Sequence, residues 1–357
     1  MQPRLGPESW QEPIHGESFP REVFGLPGIA QLRSLMTGRA APPPIAHLVG
    51  MRLTEVGIGS ATFIMPITGW LQTPQGIATG GEVAILADGP LGCAIQSVLP
   101  AATGYTTTEL SINLVRPVPR EGQLVARGRL VHGGRSLALS EVFVTDDNGR
   151  LIAHGTSRCV IFPPATTVSP PPADNPVAPP EDGGWVPPYQ RPVQGAVLDQ
   201  EIWQERSGLD VLRAHIAGEL PAPPISHLIG AVVVAADEGS CAFSMPASGW
   251  LISPLGMVEG GVTACLADFA LASAVQTTVT AGTAFAPTDL RVQFIRPVPP
   301  DGKSLTATAK VIHRGRSLAV ARAEVTNQDG KLVALASGSA LILPGRRADL
   351  SDTPGLG

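Results

Sequence analysis

Aromatic residues make up only 4% of this 357-residue chain, charged residues 15%, and there are four cysteines. Each scarcity excludes something. With 25 Lys and Arg against 30 Asp and Glu, the net charge is −5. No basic run interleaves with aromatics, so a nucleic-acid partner is not expected. Cys93, Cys159, Cys241 and Cys265 lie in apolar segments without CxxC or Cys/His spacing. They read as small buried side chains in a reducing compartment, not as a disulfide frame or a zinc site. No apolar run approaches the ~18 residues of a membrane span. The opening MQPRLGPESWQEPIHGESFPREVFG has no apolar h-region. The reading is a soluble cytoplasmic protein with no membrane partner. No P-loop, dinucleotide fingerprint or metal-ligand spacing appears, so neither metal nor redox cofactor is expected. What the chain does have is 43% apolar residues, enough for two or three domains with substantial cores.

It also repeats itself. PPPIAHLVG at 42–50 matches APPISHLIG at 222–230, an offset of 180. At the same offset ITGWLQTPQGIATGG (67–81) matches ASGWLISPLGMVEGG (247–261), and LSINLVRPVP (110–119) matches LRVQFIRPVP (290–299). After a one-residue change in loop length, VHGGRSLA (131–138) matches IHRGRSLA (312–319). Such self-similarity marks a tandem duplication. Between the copies, residues 163–195 are proline-rich and read as an extended, semi-rigid linker. The expected organisation is a tail over 1–24, a domain over 25–163, a linker over 164–206, a second domain over 207–345 and a tail over 346–357.

Each copy opens with a short helix, LRSLMTG (32–38) or VLRAHIAG (211–218), ending at Gly before a proline cluster. Strand-like runs follow, then a long apolar helix after a Gly-Gly pair, then about four β-rich segments with turn signals at DDNG (146–149) and QDG (328–330). Each copy thus predicts one central helix followed by an antiparallel meander: an α+β unit whose sheet curls around the helix. The helices read GGEVAILADGPLG (80–92) and GGVTACLADFALA (260–272), and each carries one carboxylate, Asp88 or Asp268, among apolar residues. Burying Asp is costly unless something pairs with it or uses it.

The order of elements and the motif xPxGxxxGGxxxxLAD resemble the hotdog-fold acyl-CoA thioesterases of the phenylacetate-pathway (PaaI-like) family. The resemblance covers roughly 25–163 and 207–345. It implies two hotdog domains in tandem, each a curled antiparallel sheet around a long helix, paired within one chain with the active sites at their interface. The implied substrate is an acyl-CoA or acyl-carrier thioester, with CoA entering as part of the substrate; further homo-oligomerisation remains open. Spacing supports the pairing. Asp88 stands eight residues from Gly80, and Asp268 eight from Gly260, or about 12 Å along a helix. One helix cannot bind a thioester carbonyl at its own N-terminus and attack it with its own Asp. Two antiparallel helices would put Gly80–Gly81 with Asp268, and Gly260–Gly261 with Asp88. The glycine amides would form an oxyanion hole. The desolvated Asp would activate water or attack directly. The alternative is that each Gly-Gly is a tight loop and each Asp bonds nearby backbone.

Departures from the family pattern matter. Its members usually carry Asn-Pro, and His before the Gly-Gly; here those positions hold Thr73 and Thr79 in copy 1, Ser253 and Glu259 in copy 2. The hydroxyls are partial replacements. Glu259 would repel a developing oxyanion unless protonated or turned outward, which weakens the site of Gly260 and Asp88 more than that of Gly80 and Asp268. Thr106, Thr107, Thr108 and Thr288, at strand starts, are candidates to hydrogen-bond the Asp or the water. Arg135 and Arg316, in the GRSLA turns beside His132 and His313, are candidates for CoA phosphates. His47 and His227 read as packing residues and Trp70 and Trp250 as core anchors. The missing Asn and His favour a second reading, a double hotdog that holds an acyl thioester without cleaving it. A hydratase would want a His on the helix segment, and neither has one.

Overall fold

The computed structural model describes residues 8–164 and 184–351. Most of the proline-rich linker, 165–183, and the outer ends of both expected tails, 1–7 and 352–357, lie outside the described residues. The first copy runs α1 (Arg21–Phe24), α2 (Gly28–Met36), α3 (Pro44–Val49), β1 (Arg52–Gly57), β2 (Ser60–Pro66), α4 (Gly80–Gln96), β3 (Tyr105–Leu114), β4 (Gln123–Gly133), β5 (Leu137–Thr145) and β6 (Leu151–Ile161). The second repeats it: α5 (Gln200–Glu205), α6 (Gly208–Ile216), α7 (Pro224–Ile229), β7 (Val232–Asp237), β8 (Ser240–Pro246), α8 (Gly260–Gln276), β9 (Thr283–Phe294), β10 (Ser304–Arg314), β11 (Leu318–Asn327) and β12 (Leu332–Pro344). Among the described residues, no helix is long and apolar enough to cross a membrane.

The helices α4 and α8 are apolar on nearly every face because sheet surrounds them; almost every residue in each is buried. Their starts differ. Thr79 and Glu82 form a capping box at α4, each satisfying a backbone donor of the other. At α8 the position of Glu82 is taken by Val262, and Glu259 makes no capping bond. The helices end alike: Ser97 and Thr277 each turn a hydroxyl to a carbonyl three residues back and accept an N–H from Gly59 or Gly239 in a β-hairpin.

Among the described residues, all twelve strands form one antiparallel sheet in the order β1-β2-β4-β5-β6-β3-β9-β12-β11-β10-β8-β7. The meander expected after each helix is therefore restricted to β4–β6 and β10–β12. The first strand after the helix goes instead to the far edge, where β3 pairs with β9 and fuses the two halves. Ser111 pairs with Arg291, its own counterpart at offset 180, and the flanking pairs Glu109–Gln293 and Asn113–Asp289 are symmetric about it. A pseudo-twofold axis runs between these two residues.

The same axis sets α4 against α8, antiparallel and close. A Cβ on Gly81 would stand 2.9 Å from Cys265 Sγ, and one on Gly261 would stand 2.4 Å from the Ala84 carbonyl. The second glycine of each pair is thus required for the helices to approach.

Segments preceding the two units act as straps. Strap WQEPIHG (10–16) matches YQRPVQG (189–195) at an offset of 179. Each clasps the other half. The Trp250 indole N–H donates to the Glu12 carbonyl at 2.9 Å and the Phe19 N–H to the Pro254 carbonyl at 2.7 Å. In mirror fashion, Trp70 donates to Arg191 at 3.0 Å and Leu198 to Pro74 at 2.9 Å. An Arg191–Glu12 ion pair at 2.6 Å ties strap to strap.

Candidate active site

Antiparallel packing of α4 on α8 brings the amides of each helix start to the carboxylate of the other. Gly261 N–H donates to Asp88 Oδ2 at 3.0 Å, and Gly81 N–H donates to Asp268 Oδ2 at 2.8 Å. Gly260 and Gly80, one residue earlier, lie beside the same carboxylates: a Cβ on Gly260 would be 3.0 Å from Asp88 Oδ2, one on Gly80 3.7 Å from Asp268. The two sites share this geometry and little else.

At the first site Asp88 is half-buried and lines a cavity of about 440 Å³, within the range of small-molecule sites. Gly89 and Gly92, the next residues along that face of α4, leave the space open; the Phe63 ring and Tyr105 stand opposite. Burial pushes the Asp88 carboxyl up to about 6, against the opposing pull of the Gly261 and Gly260 amides. Glu259, at 6% exposure, lines the same cavity. Its Oε2 has no hydrogen-bond partner. Burial, and then the nearby charge of Asp88, hold its carboxyl well above the usual range.

At the second site Asp268 is 2% exposed and does not line that cavity. A closed chain holds it. The Thr79 hydroxyl lies 2.7 Å from Asp268 Oδ2 and 2.9 Å from Glu82 Oε2, while the Thr79 N–H donates to that Glu82 oxygen at 2.7 Å. One hydroxyl proton serves one carboxylate at a time, so the Thr79 hydroxyl stands as donor between Glu82 and Asp268. Burial pushes Glu82 up to about 7 and Asp268 up to about 6, consistent with a shared proton. The space that Gly89 leaves open is filled here by Phe269, 7% exposed, which packs on Phe243 with ring centroids 5.9 Å apart. Outside, Leu350 of the C-terminal segment packs on Ile77, Ala284 and Ala286. Asp349 anchors that segment to Arg120 at 2.6 Å.

The remaining candidates divide between the two sites and the surface. Ser253, Thr106, Thr107 and Thr108 line the cavity with Asp88. The Thr108 hydroxyl donates to the Arg158 carbonyl at 3.0 Å, and Thr288 donates to the Ser339 carbonyl at 3.1 Å, in the middle of the fused sheet. Thr73 is buried and donates to the Ile77 carbonyl, bracing the loop before α4. Arg135 and Arg316 are exposed in their turns and are not among the residues lining the cavity, whose cations are Arg52 and Arg296. Trp70 and Trp250 are buried anchors for the straps. His227 pairs with Glu8 at 2.9 Å, and His47 meets the edge of Trp185.

Two curled sheets, each wrapped on a buried helix, fused edge to edge and sharing carboxylate–amide pairs between helices, define a double-hotdog fold. The thioesterase superfamily pattern matches residues 75–153 and 255–334, once in each half. Acyl-coenzyme A thioesterase PaaI of Escherichia coli is 34% identical over 110 residues, 31% of this chain and 76% of that protein. Among solved structures, a TesB protein of Mycobacterium avium subsp. paratuberculosis shares the fold at 15% identity and a TM-score of 0.52, covering 84% of this chain and 98% of that one. Acyl-CoA thioesterase II TesB2 of Mycobacterium marinum does so at 17% identity and a TM-score of 0.50, with the same coverage. The chain belongs to the thioesterase superfamily, as a tandem double-hotdog enzyme of the thioesterase class.

Proposed function

We propose that the protein hydrolyses an acyl-CoA thioester to a free carboxylic acid and CoA, and that turnover runs at the Asp88 site. One observation carries this: Asp88 and the Gly260–Gly261 amides meet at the wall of a cavity large enough for an acyl group. The similarity to an acyl-CoA thioesterase supports the substrate class.

In this reading the thioester carbonyl oxygen enters at the start of α8 and takes the Gly261 N–H from Asp88. The N-terminal amides of a 17-residue helix, with their aligned dipoles, stabilise negative charge there. The released, desolvated carboxylate takes a proton from water as the water oxygen bonds to the carbonyl carbon. The carbonyl π pair moves onto oxygen. When it returns, the C–S bond breaks and the CoA thiolate takes the proton from Asp88. The scheme uses no metal or redox cofactor. The Asp268 site, with Gly80 and Gly81, then serves the helix pairing, and its carboxylate is already held by two donors.

The test is thiol release from short, medium, long and aromatic acyl-CoAs by the wild type and by Asp88→Asn. The expected loss in kcat is on the order of 10²–10⁴. Undiminished turnover in Asp88→Asn would remove Asp88 from the mechanism. A wild type that binds acyl-CoA without releasing thiol would leave a binding protein.

A further inference from the structure

Glu259 is unexplained by the fold. It stands at the N-cap of α8 yet caps nothing, and among the described residues no cation pairs with it. It occupies the position of Thr79, whose hydroxyl and amide are both engaged in the first copy. An N-cap residue that neither caps nor reaches solvent costs stability twice, through the lost cap and through the buried carboxyl. Its side chain lines the cavity beside Gly260 and Asp88, and Oε2 has no hydrogen-bond partner among the described residues.

We propose that Glu259 is a further catalytic residue: a protonated carboxyl whose O–H donates a hydrogen bond to the thioester oxygen, alongside the Gly260 and Gly261 amides. The assignment rests on thioester hydrolysis at the Asp88 site. No proton is transferred by Glu259. It lends a hydrogen bond that strengthens as charge develops on the carbonyl oxygen and relaxes when the C–S bond breaks. Neutrality turns the residue from a repulsive charge into a donor, much as an apolar site keeps other carboxylic acids protonated.

The groups facing Glu259 are consistent with this. From α4 come Asp88 and Cys93, and from β3 Tyr105. Burial raises both the Cys93 thiol and the Tyr105 hydroxyl, leaving them neutral. Arg52 and Arg296 also line the cavity, and Arg296 donates to the Leu332 carbonyl. Asp88 must be ionised to act as base, and burial, then the negative charge of Asp88, hold Glu259 in its protonated form. The pair therefore divides into one base and one acid.

The experiment is the pH profile of kcat/KM for wild type, Glu259→Gln and Glu259→Ala, with the acyl-CoA that the wild type turns over fastest. Melting temperature and the Kd for a non-hydrolysable thioether analogue of that acyl-CoA are measured alongside. The wild type should show a bell, rising near pH 6 as Asp88 ionises and falling when Glu259 loses its proton. Glu259→Gln keeps a neutral donor; it should retain activity within about tenfold and lose the alkaline fall. Glu259→Ala should bind the analogue and lose about 10²-fold in kcat, as removal of one oxyanion donor does. Equal activity of the Ala variant, or an alkaline fall that persists in Gln, would overturn the assignment while leaving Asp88→Asn to judge the hydrolysis itself. A wild type without turnover would overturn both.

Discussion

Asp88 and Asp268 hold the same place in two helices of equal length, each facing the glycine amides of the other, yet one lines a cavity and the other is sealed. A few residues make the difference. After Asp88 the chain reads Gly89, Pro90, Leu91, Gly92; after Asp268 it reads Phe269, Ala270, Leu271, Ala272. Gly and Pro inside a helix cost about 1 and 3 kcal/mol relative to Ala. The open site therefore sits where α4 gives up several kcal/mol of helix propensity, and the sealed site where α8 gives up almost none. On the facing strand, Tyr105, Thr106 and Thr107 correspond to Phe285, Ala286 and Pro287, so the sealed copy has also lost its hydroxyls. In the proposed reading the open site keeps residues that cost stability, an exchange of stability for function.

The sharpest way to break this comparison is to neutralise each Asp in turn. Asp88→Asn should lower kcat by on the order of 10²–10⁴, whereas Asp268→Asn should stay within about threefold of wild type, both read by thiol release. Equal losses would make the sites equivalent. Next, Gly89→Phe copies the sealed site into the open one. A Cβ there already lies 3.3 Å from the Phe63 ring, so the new side chain must fill the cavity. Affinity for an acyl-CoA should fall by at least about 100-fold; unchanged affinity would move the acyl group elsewhere. The converse change, Phe269→Ala, empties core and should cost about 3–5 kcal/mol in denaturant unfolding, with no gain in turnover.

Smaller effects follow from the buried carboxyls. Asp268 and Glu82 hold their protons more tightly when folded, so they favour the folded state most below the unfolded pKa near 4. That contribution declines as pH rises through about 6 and 7. The fall in unfolding free energy between pH 4 and 8 should be shallower in Asp268→Asn by on the order of 2–3 kcal/mol. Smallest is the strap clasp: Glu12→Gln should cost about 1 kcal/mol or less, because both partners are partly exposed.

The duplication and the α+β class were legible in the sequence from its repeats and patterning, and the pairing of helix starts with carboxylates followed from the family resemblance, which the spacing supports. The eight residues from Gly80 to Asp88 recur from Gly260 to Asp268, and a straight helix cannot fold that distance back on itself. The asymmetry was not legible. Gly89 and Phe269 stand in plain view, but their effect depends on Phe63 and Phe243 lying opposite. Charge alone counted Glu259 against the site that holds the cavity; in the proposed reading its burial beside Asp88 keeps it protonated and reverses the sign of its effect. The straps were visible as WQEPIHG and YQRPVQG, and proline-rich surroundings disguised them as tail and linker.

The most direct measurement is the number of acyl sites per chain, by isothermal titration with a non-hydrolysable acyl-thioether analogue of CoA. One open site predicts a stoichiometry of one, abolished by Gly89→Phe and unaffected by Asp268→Asn. Two equal sites per chain, or a single site that survives Gly89→Phe, would contradict it.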